Sequence, residues 1–329
     1  MKTKNLFLFS CHIFFLVLGS VYYWDRLLPH ASNSLAELPP PPPLPPPHMM
    51  IVDLCSEGCG LGNQMFRYAA GLGLASQNPN YTACVFGLED IGHLAYEHSA
   101  FVLDVLPSWR QLDPCPPSIS SHRLPYFRRA VDFWPDMMHR FKPPHSTFRE
   151  FRFDGSGPVL VAGHMQSFRY FQHLPHPFFR LKQQHSARKW LAKHGVSSVV
   201  HVRRGDKLHN GSPVVPLAYY ENAIGMLGTT RVAVCTDDPS WVEQQAVFGN
   251  AVISRHHDPG FDMSVLAAAT EAVIIGIGTF GWWGAYLSKA KRKYFYPATY
   301  IGELAAGYNE SDYIPYGVRG QGDWIPVYP

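Results

Sequence analysis

Arg203, Arg204 and Asp206 follow directly on a run of valines, in Ser-Ser-Val-Val-His-Val-Arg-Arg-Gly-Asp-Lys from Ser197 to Lys207. Val199, Val200 and Val202 read as a buried strand, which leaves His201 and the charged residues at its exit. Guanidinium groups are forked donors that match the oxygens of a diphosphate. In an arbitrary Arg-Arg-Gly-Asp string the plainer reading is a surface ion pair of Arg204 with Asp206. At the carboxyl end of a buried strand, where open α/β sheets bind ligands, the anion reading gains.

A second strand exit stands in Ala-Val-Ile-Ile-Gly-Ile-Gly-Thr-Phe-Gly-Trp-Trp, from Ala272 to Trp283. Gly278, Thr279, Phe280 and Gly281 close the strand and open a helix, and glycine lets a backbone approach a ligand while free amides at a helix start favour phosphate. Trp282, Trp283 and Tyr286 read as core rather than as platforms for a base. The sequence contains no GxxxxGK[ST], no HExxH, no GxSxG and no apolar-flanked Asp-x-Asp that would hold a divalent ion on a nucleotide sugar. A departing diphosphate then needs another counter-charge, and Arg203, Arg204 and the helix start supply one without a metal.

The elements that must position these residues are regular after Gly195. Apolar runs of strand length at Val196–Arg203, Arg231–Thr236, Ala251–Arg255, Ala272–Gly278 and Lys293–Pro297 alternate with helical segments. Those segments are Pro216–Leu227, Pro239–Phe248, Asp262–Thr270 and Trp282–Lys289. The alternation predicts a parallel sheet covered on both faces, a Rossmann-like half over about residues 195–300. Asp238, just before Pro239, reads as an N-cap, whereas Asp237 is left open. Before this half, Met50–Leu54 and Val159–Ala162 read as strands and Asn63–Ala75 as a helix; the stretch 107–144, rich in Pro, Arg and aromatics, resolves only into loops and short helices.

The 28 Lys and Arg against 25 Asp and Glu give a net charge of +3, too even for nucleic-acid binding by bulk electrostatics. Behind Lys2 and Lys4 runs an almost unbroken apolar segment from Leu6 to Trp24, closed by Tyr22, Tyr23 and Trp24. About 20 such residues span a bilayer, so 1–4 read as a cytoplasmic tail and 5–24 as a transmembrane signal anchor; a cleaved signal peptide is the alternative. Either sends the rest into the secretory lumen. Eight prolines among the nine residues Pro39–Pro47 make 25–48 a stiff stem. Sequons at Asn80, Asn210 and Asn309 fit lumenal exposure, and an oxidising lumen favours one or two disulfides among Cys55, Cys59, Cys84 and Cys115, with Cys235 a buried thiol.

Four blocks in order carry a resemblance: Gly-Leu-Gly-Asn-Gln from Gly60, Val-Leu-Val-Ala-Gly-His-Met-Gln from Val159, Val-Val-His-Val-Arg-Arg-Gly-Asp from Val199, and the run from Asp262 to Leu287. Together, over roughly residues 50–300, the chain resembles the galactoside α-1,2-fucosyltransferases of glycosyltransferase family 11. The resemblance implies a GT-B-like fold, two Rossmann-like domains facing a cleft, here 49–193 on the acceptor side and 194–329 for the donor. It implies GDP-fucose as donor, no metal, a galactose-terminated glycan as acceptor, an inverting transfer to the galactose 2-hydroxyl, and a type II Golgi membrane protein. By residue, it implies Arg203 on the β-phosphate with Arg204 supporting, and His201 and Asp262 toward guanine and ribose. Gly278, Thr279, Phe280 and Gly281 would lie at the phosphates, and Asn63 across the cleft with Gly62 and Gln64.

Asp206, His164 and Glu57 are candidate bases, although a phosphate oxygen could take the proton from an acceptor facing so good a leaving group. The chain departs from the family at Lys207, usually tyrosine in the vertebrate enzymes, and at Ile277, usually threonine. The rival readings are a fucosyltransferase of another acceptor class, core α-1,6 or protein O-linked, and a non-catalytic lumenal glycan-binding protein.

Overall fold

The computed structural model describes residues 48–54, 60–86, 112–115, 139–142, 146–152, 157–175, 179, 181–209, 213–256, 258–297 and 308–329. The anchor, the stem, Cys55, Glu57, Cys59 and Asn210 lie outside the described residues. Among those described, no helix is long and apolar enough to cross a membrane. Residues 44–329 belong to one unit that holds both of the sheets described below.

The first sheet is built from β1 (Met49–Asp53), which leads through helix α1 (Leu61–Gln77) to β2 (Thr82–Phe86), and from the short β3 (Asp113–Pro114), β4 (His139–Phe141) and β5 (Val159–Val161). Its order is β3-β2-β1-β5-β4, and every pairing is parallel. All five residues of β1 are buried, as expected of a central strand covered on both faces. A disulfide joins Cys84 in β2 to Cys115 just beyond β3 and closes a separation of 31 residues. Such a cross-link stabilises a fold by about 4 kcal/mol in the chain-entropy model. Cys235 is a buried free thiol, as its apolar strand implies.

Helix α2 (Gln184–His194) leads to the second sheet and stops at Gly195, whose φ of 61° is the left-handed conformation of a helix C-terminus. There follow β6 (Ser198–Val202), the single turn α3 (Gly205–His209), α4 (Leu217–Gly225), β7 (Ala233–Thr236), α5 (Pro239–Gln244) and β8 (Val252–Ile253). The chain continues through α6 (Pro259–Ala267), β9 (Ala272–Ile275), α7 (Thr279–Leu287), β10 (Arg292–Phe295), α8 (Glu310–Tyr313) and β11 (Asp323–Pro326). The spatial order β8-β7-β6-β9-β10-β11, again wholly parallel, is the doubly wound order 3-2-1-4-5-6. Its direction of winding reverses between β6 and β9, so a crevice opens where both of the sequence's strand exits lie.

Each strand expected in this half is present, and Asp238 caps α5 by accepting from Trp241 N at 3.1 Å. Helix α6 begins earlier than its apolar run suggests, because Asp258 accepts from Gly260 N at 2.8 Å and Pro259 fills the first helical position.

The two sheets share one hydrophobic core. Its centre is aromatic: Phe66 of α1 lies with its ring centroid 4.5 Å from Trp282 and 5.0 Å from Trp283 of α7, while Phe171 stacks on Trp283 at 5.4 Å. Both tryptophans are fully buried, with their indole N–H groups donating to Tyr313 O and Gly62 O. They are core, as read from the sequence, and they fasten α1 to α7.

Candidate active site

Strand alternation sorts the arginines. His201 and Arg203 leave β6 on one side, and Arg204, one residue on, leaves on the other. Arg203 lines a cleft of about 540 Å³ together with Gly62, Asn63, His201, Asp206, Asp262, Thr279 and Phe280. Its Nε and Nη2 donate to the two carboxylate oxygens of Asp206 at 2.9 and 2.5 Å. That bidentate pair sets the plane of the guanidinium and depresses the Asp206 carboxyl below the usual range. A carboxylate so engaged is a poor general base, so Asp206 is placed as the residue that orients Arg203.

Arg204 lies elsewhere than expected. Its guanidinium sits 4.0 Å above the Trp241 ring and its Nε is 3.5 Å from Asp238 Oδ2, so it braces the start of α5 and lines neither cavity of the site. The ion pairs that form are Arg203 with Asp206 and Arg204 with Asp238, in place of the Arg204–Asp206 pair that was the plainer alternative to an anion site. Asp237, left open by the sequence, accepts from Arg204 N at 2.8 Å and lines the cleft.

Two helix starts converge on the same cleft. Neither α1, beginning after Gly60, nor α7, beginning after Gly278, has a side-chain cap or an acidic residue in its first turn. Their positive ends are therefore open to an anion. The approach depends on Gly62: a Cβ there would stand 2.5 Å from Thr279 C and 2.6 Å from Phe280 N, both backbone atoms. Gly62→Ala should force the two helix starts apart, with a loss of about 1–3 kcal/mol of stability and of donor affinity. Denaturant unfolding and GDP titration of that variant check it. Gly278 has a φ of 131°, reserved for glycine, and a Cβ on it would lie 3.2 Å from Arg203 Nη1.

At the other end of the cleft, burial pushes the His201 imidazole down to about pKa 4, with Arg203 adding to the effect, so the ring is neutral at physiological pH. Phe280 covers it with ring centroids 5.2 Å apart, and Gly281 sits behind it, where a Cβ would fall 2.7 Å from His201 Nδ1. Gly281 thus makes room for the histidine, and no contact to a ligand is needed to explain it. Burial raises the Asp262 carboxyl to about pKa 6, opposed by a 2.5 Å hydrogen bond from Ser254 Oγ. Asp262 forms no ion pair among the described residues, which leaves a carboxylate suited to donors from a ligand.

Asn63 lies across the cleft, and its Oδ1 accepts from Gln166 Nε2 at 2.9 Å, so its own amide donor is what remains for a ligand. A second cavity of about 290 Å³ adjoins the first and shares Asn63, Arg203 and Thr279 with it. Gly278 and Ile277 line this second cavity. Gln64 is buried on α1 and, like His164, lines neither cavity. Gln64, expected beside Asn63, and His164, a candidate base, both offered by the sequence on the acceptor side, are therefore not brought to the site: the helix turns Gln64 inward, away from Asn63. Sequence reasoning missed Gln166, Ser146 and the tyrosines of the second cavity, Tyr296, Tyr308 and Tyr313. Of these only Gln166, two residues after Gly163-His164 at the end of β5, carried a signal, since it too follows a strand exit.

Asn80 is exposed in a turn, whereas Asn309 caps α8: its Oδ1 accepts from Ser311 N and its Nδ2 donates to Asp312 Oδ2. Glycosylation at Asn309 would compete with that cap. Among the described residues no three His, Cys, Asp or Glu side chains gather as a metal site would require.

A family model described as Glycosyl transferase family 11 matches residues 141–315, more than half of the chain. The chain belongs to glycosyl transferase family 11. Among family 11 relatives, it is 24% identical to a galactoside 2-alpha-L-fucosyltransferase of Caenorhabditis elegans, over 72% of this chain and 69% of that one. It is 26% identical to galactoside 2-alpha-L-fucosyltransferase Sec1 of Mus musculus, over 69% of this chain and 62% of that one. The chain therefore spans between three-fifths and seven-tenths of the length of these relatives. The fucosyltransferase NodZ of Bradyrhizobium overlays with a TM-score of 0.44 at 16% identity, covering 74% of this chain and 94% of that one.

Proposed function

We propose that the protein transfers L-fucose from GDP-β-L-fucose to the 2-hydroxyl of a terminal galactose, with inversion to an α linkage. The observation that carries this reading is Arg203, locked by Asp206 at the switch point of a doubly wound sheet, between two uncapped helix starts. The names of the family 11 relatives support fucose as the sugar and galactose as the acceptor.

In this account the diphosphate lies on Arg203 and the starts of α1 and α7, and guanine reaches toward Asp262 and His201. Fucose C1 then faces the junction of the two cavities, at Asn63 and Thr279. The galactose oxygen forms a bond to C1 as the C1–O bond to the β-phosphate breaks, through an oxocarbenium-like state, and GDP leaves with the electron pair. Arg203 and the helix ends stabilise the charge that develops on the phosphate, the term that weighs most in such transfers. The hydroxyl proton passes to a phosphate oxygen, since Asp206 is held by Arg203.

The reading extends to a GT-B-like pair of domains, 49–193 and 194–329, and to a type II Golgi protein anchored by residues 5–24. The apolar run, the proline stem and the Cys84–Cys115 disulfide support lumenal placement.

An acceptor panel tests the proposal. With GDP-fucose, the protein should fucosylate terminal β-galactosides at O2, and leave N-glycan cores and folded peptide acceptors unmodified. Transfer to the core N-acetylglucosamine or to a peptide hydroxyl, with none to galactose, would refute it.

A further inference from the structure

The second cavity carries a charge that the donor cleft does not explain. Among the described residues its walls hold two cations, Arg203 and Lys207, and no acidic side chain. Arg203 is paired with Asp206, which lines the donor cleft and not this cavity. Lys207, on α3 four residues after Arg203, makes no ion pair or side-chain hydrogen bond among the described residues, while Asp206 beside it is turned to Arg203. Burial, and then the charge of Arg203, lower the Lys207 pKa, with Asp206 opposing, so the ammonium stands partly dehydrated beside a like charge. A group in that position gains from an anion.

The rest of the wall suits a sugar. Tyr296, Tyr308 and Tyr313 contribute aromatic side chains, and Ser146 and Gln166 supply hydroxyl and amide groups linked by a 3.3 Å hydrogen bond. Its volume, at the small end of ligand sites, has room for one monosaccharide and a substituent. It opens to the donor cleft where Asn63, Arg203 and Thr279 are shared.

We propose that this cavity receives the acceptor and that Lys207 selects an anionic one, a galactoside bearing a sulfate or a carboxylate on the galactose or the sugar beside it. The proposal rests on the transferase reading above and names the acceptor class for that site. Lys207 binds the oxyanion as a specificity-determining residue and takes no part in bond breaking. Sulfate and carboxylate share the chemistry, a full negative charge with several acceptor oxygens, and Lys207 meets either as a point charge.

The test uses the full chain with GDP, then with GDP-fucose, and three matched β-galactosides: neutral, sulfated, and linked to a glucuronic acid. Calorimetric binding to the GDP complex and kcat/KM for transfer are measured for each. Anionic galactosides should bind and react roughly tenfold to a hundredfold better than the neutral one, the range of a charged hydrogen bond. The preference should shrink as salt rises. Lys207→Met should remove it, and Lys207→Arg should keep it, with GDP still raising the melting temperature of both variants as the check on folding. Equal binding of the three galactosides by the wild type, or a preference that survives in Lys207→Met, would overturn the proposal. A binding preference without any transfer would support Lys207 as the anion contact while contradicting the transferase reading.

Discussion

Arg203→Ala will lower the transfer rate a hundredfold or more in a protein that still folds. Arg203 is a third exposed and pairs with Asp206 outside the hydrophobic core, so its loss leaves the core packing in place. What is lost is the fixed donor at the point where the departing β-phosphate gains charge. Removing one such donor costs about 2.7–4 kcal/mol of transition-state stabilisation, or roughly 10²–10³ in rate. Rate and melting temperature measured on the same sample separate the two effects. Activity within a few fold of wild type would show that another group holds the diphosphate.

Asp262 gives the second large effect, and its sign differs between binding and stability. The carboxylate can accept from two donors on one edge of guanine, and the protonated acid cannot. With its carboxyl raised to about pKa 6, GDP affinity should hold above that value and fall about tenfold per pH unit below it. Asp262→Asn should cost roughly 10–100-fold in GDP affinity, the range for a hydrogen bond to a charged group, and narrow the preference for GDP over ADP. Stability moves the other way. The folded pKa lies above the ordinary value of 3.8, so the native state holds the extra proton between about pH 4 and 6 and loses stability as pH rises through that window. Asp262→Asn removes the buried charge, and its melting temperature at pH 7 should equal or exceed that of wild type. Calorimetry of GDP and ADP binding from pH 5 to 8, beside thermal unfolding, checks both halves.

The second half of the chain was legible because its strands are buried on both faces and read as continuous valine and isoleucine runs, so the exits carrying Arg203 and Gly278 could be placed. The first half was less so. Its β3 and β4 have only two and three residues, and in the second half β11 was hidden by a proline that suits an edge. α2 buries only Ala187 and Leu191, too little apolar periodicity to announce a helix. Within the site, residues at or just beyond the end of a strand were found, including His201, Arg203 and Thr279. The division of labour between Arg203 and Arg204 was hidden, since it depends on which side of β6 each leaves and on Trp241 standing ready to stack on one of them. The second cavity was hidden for a stronger reason. Ser146, Gln166, Lys207 and the tyrosines come from distant segments and share no motif, and folding alone brings them together.

The central claim is that Arg203 and two helix starts neutralise the departing diphosphate. The most direct measurement is transfer of labelled fucose from GDP-fucose to a β-galactoside in chelator, with wild type and Arg203→Ala side by side. The account predicts full wild-type transfer in chelator, with the label on galactose O2, and almost none from the variant. Wild-type transfer that stops in chelator and returns with manganese would contradict it.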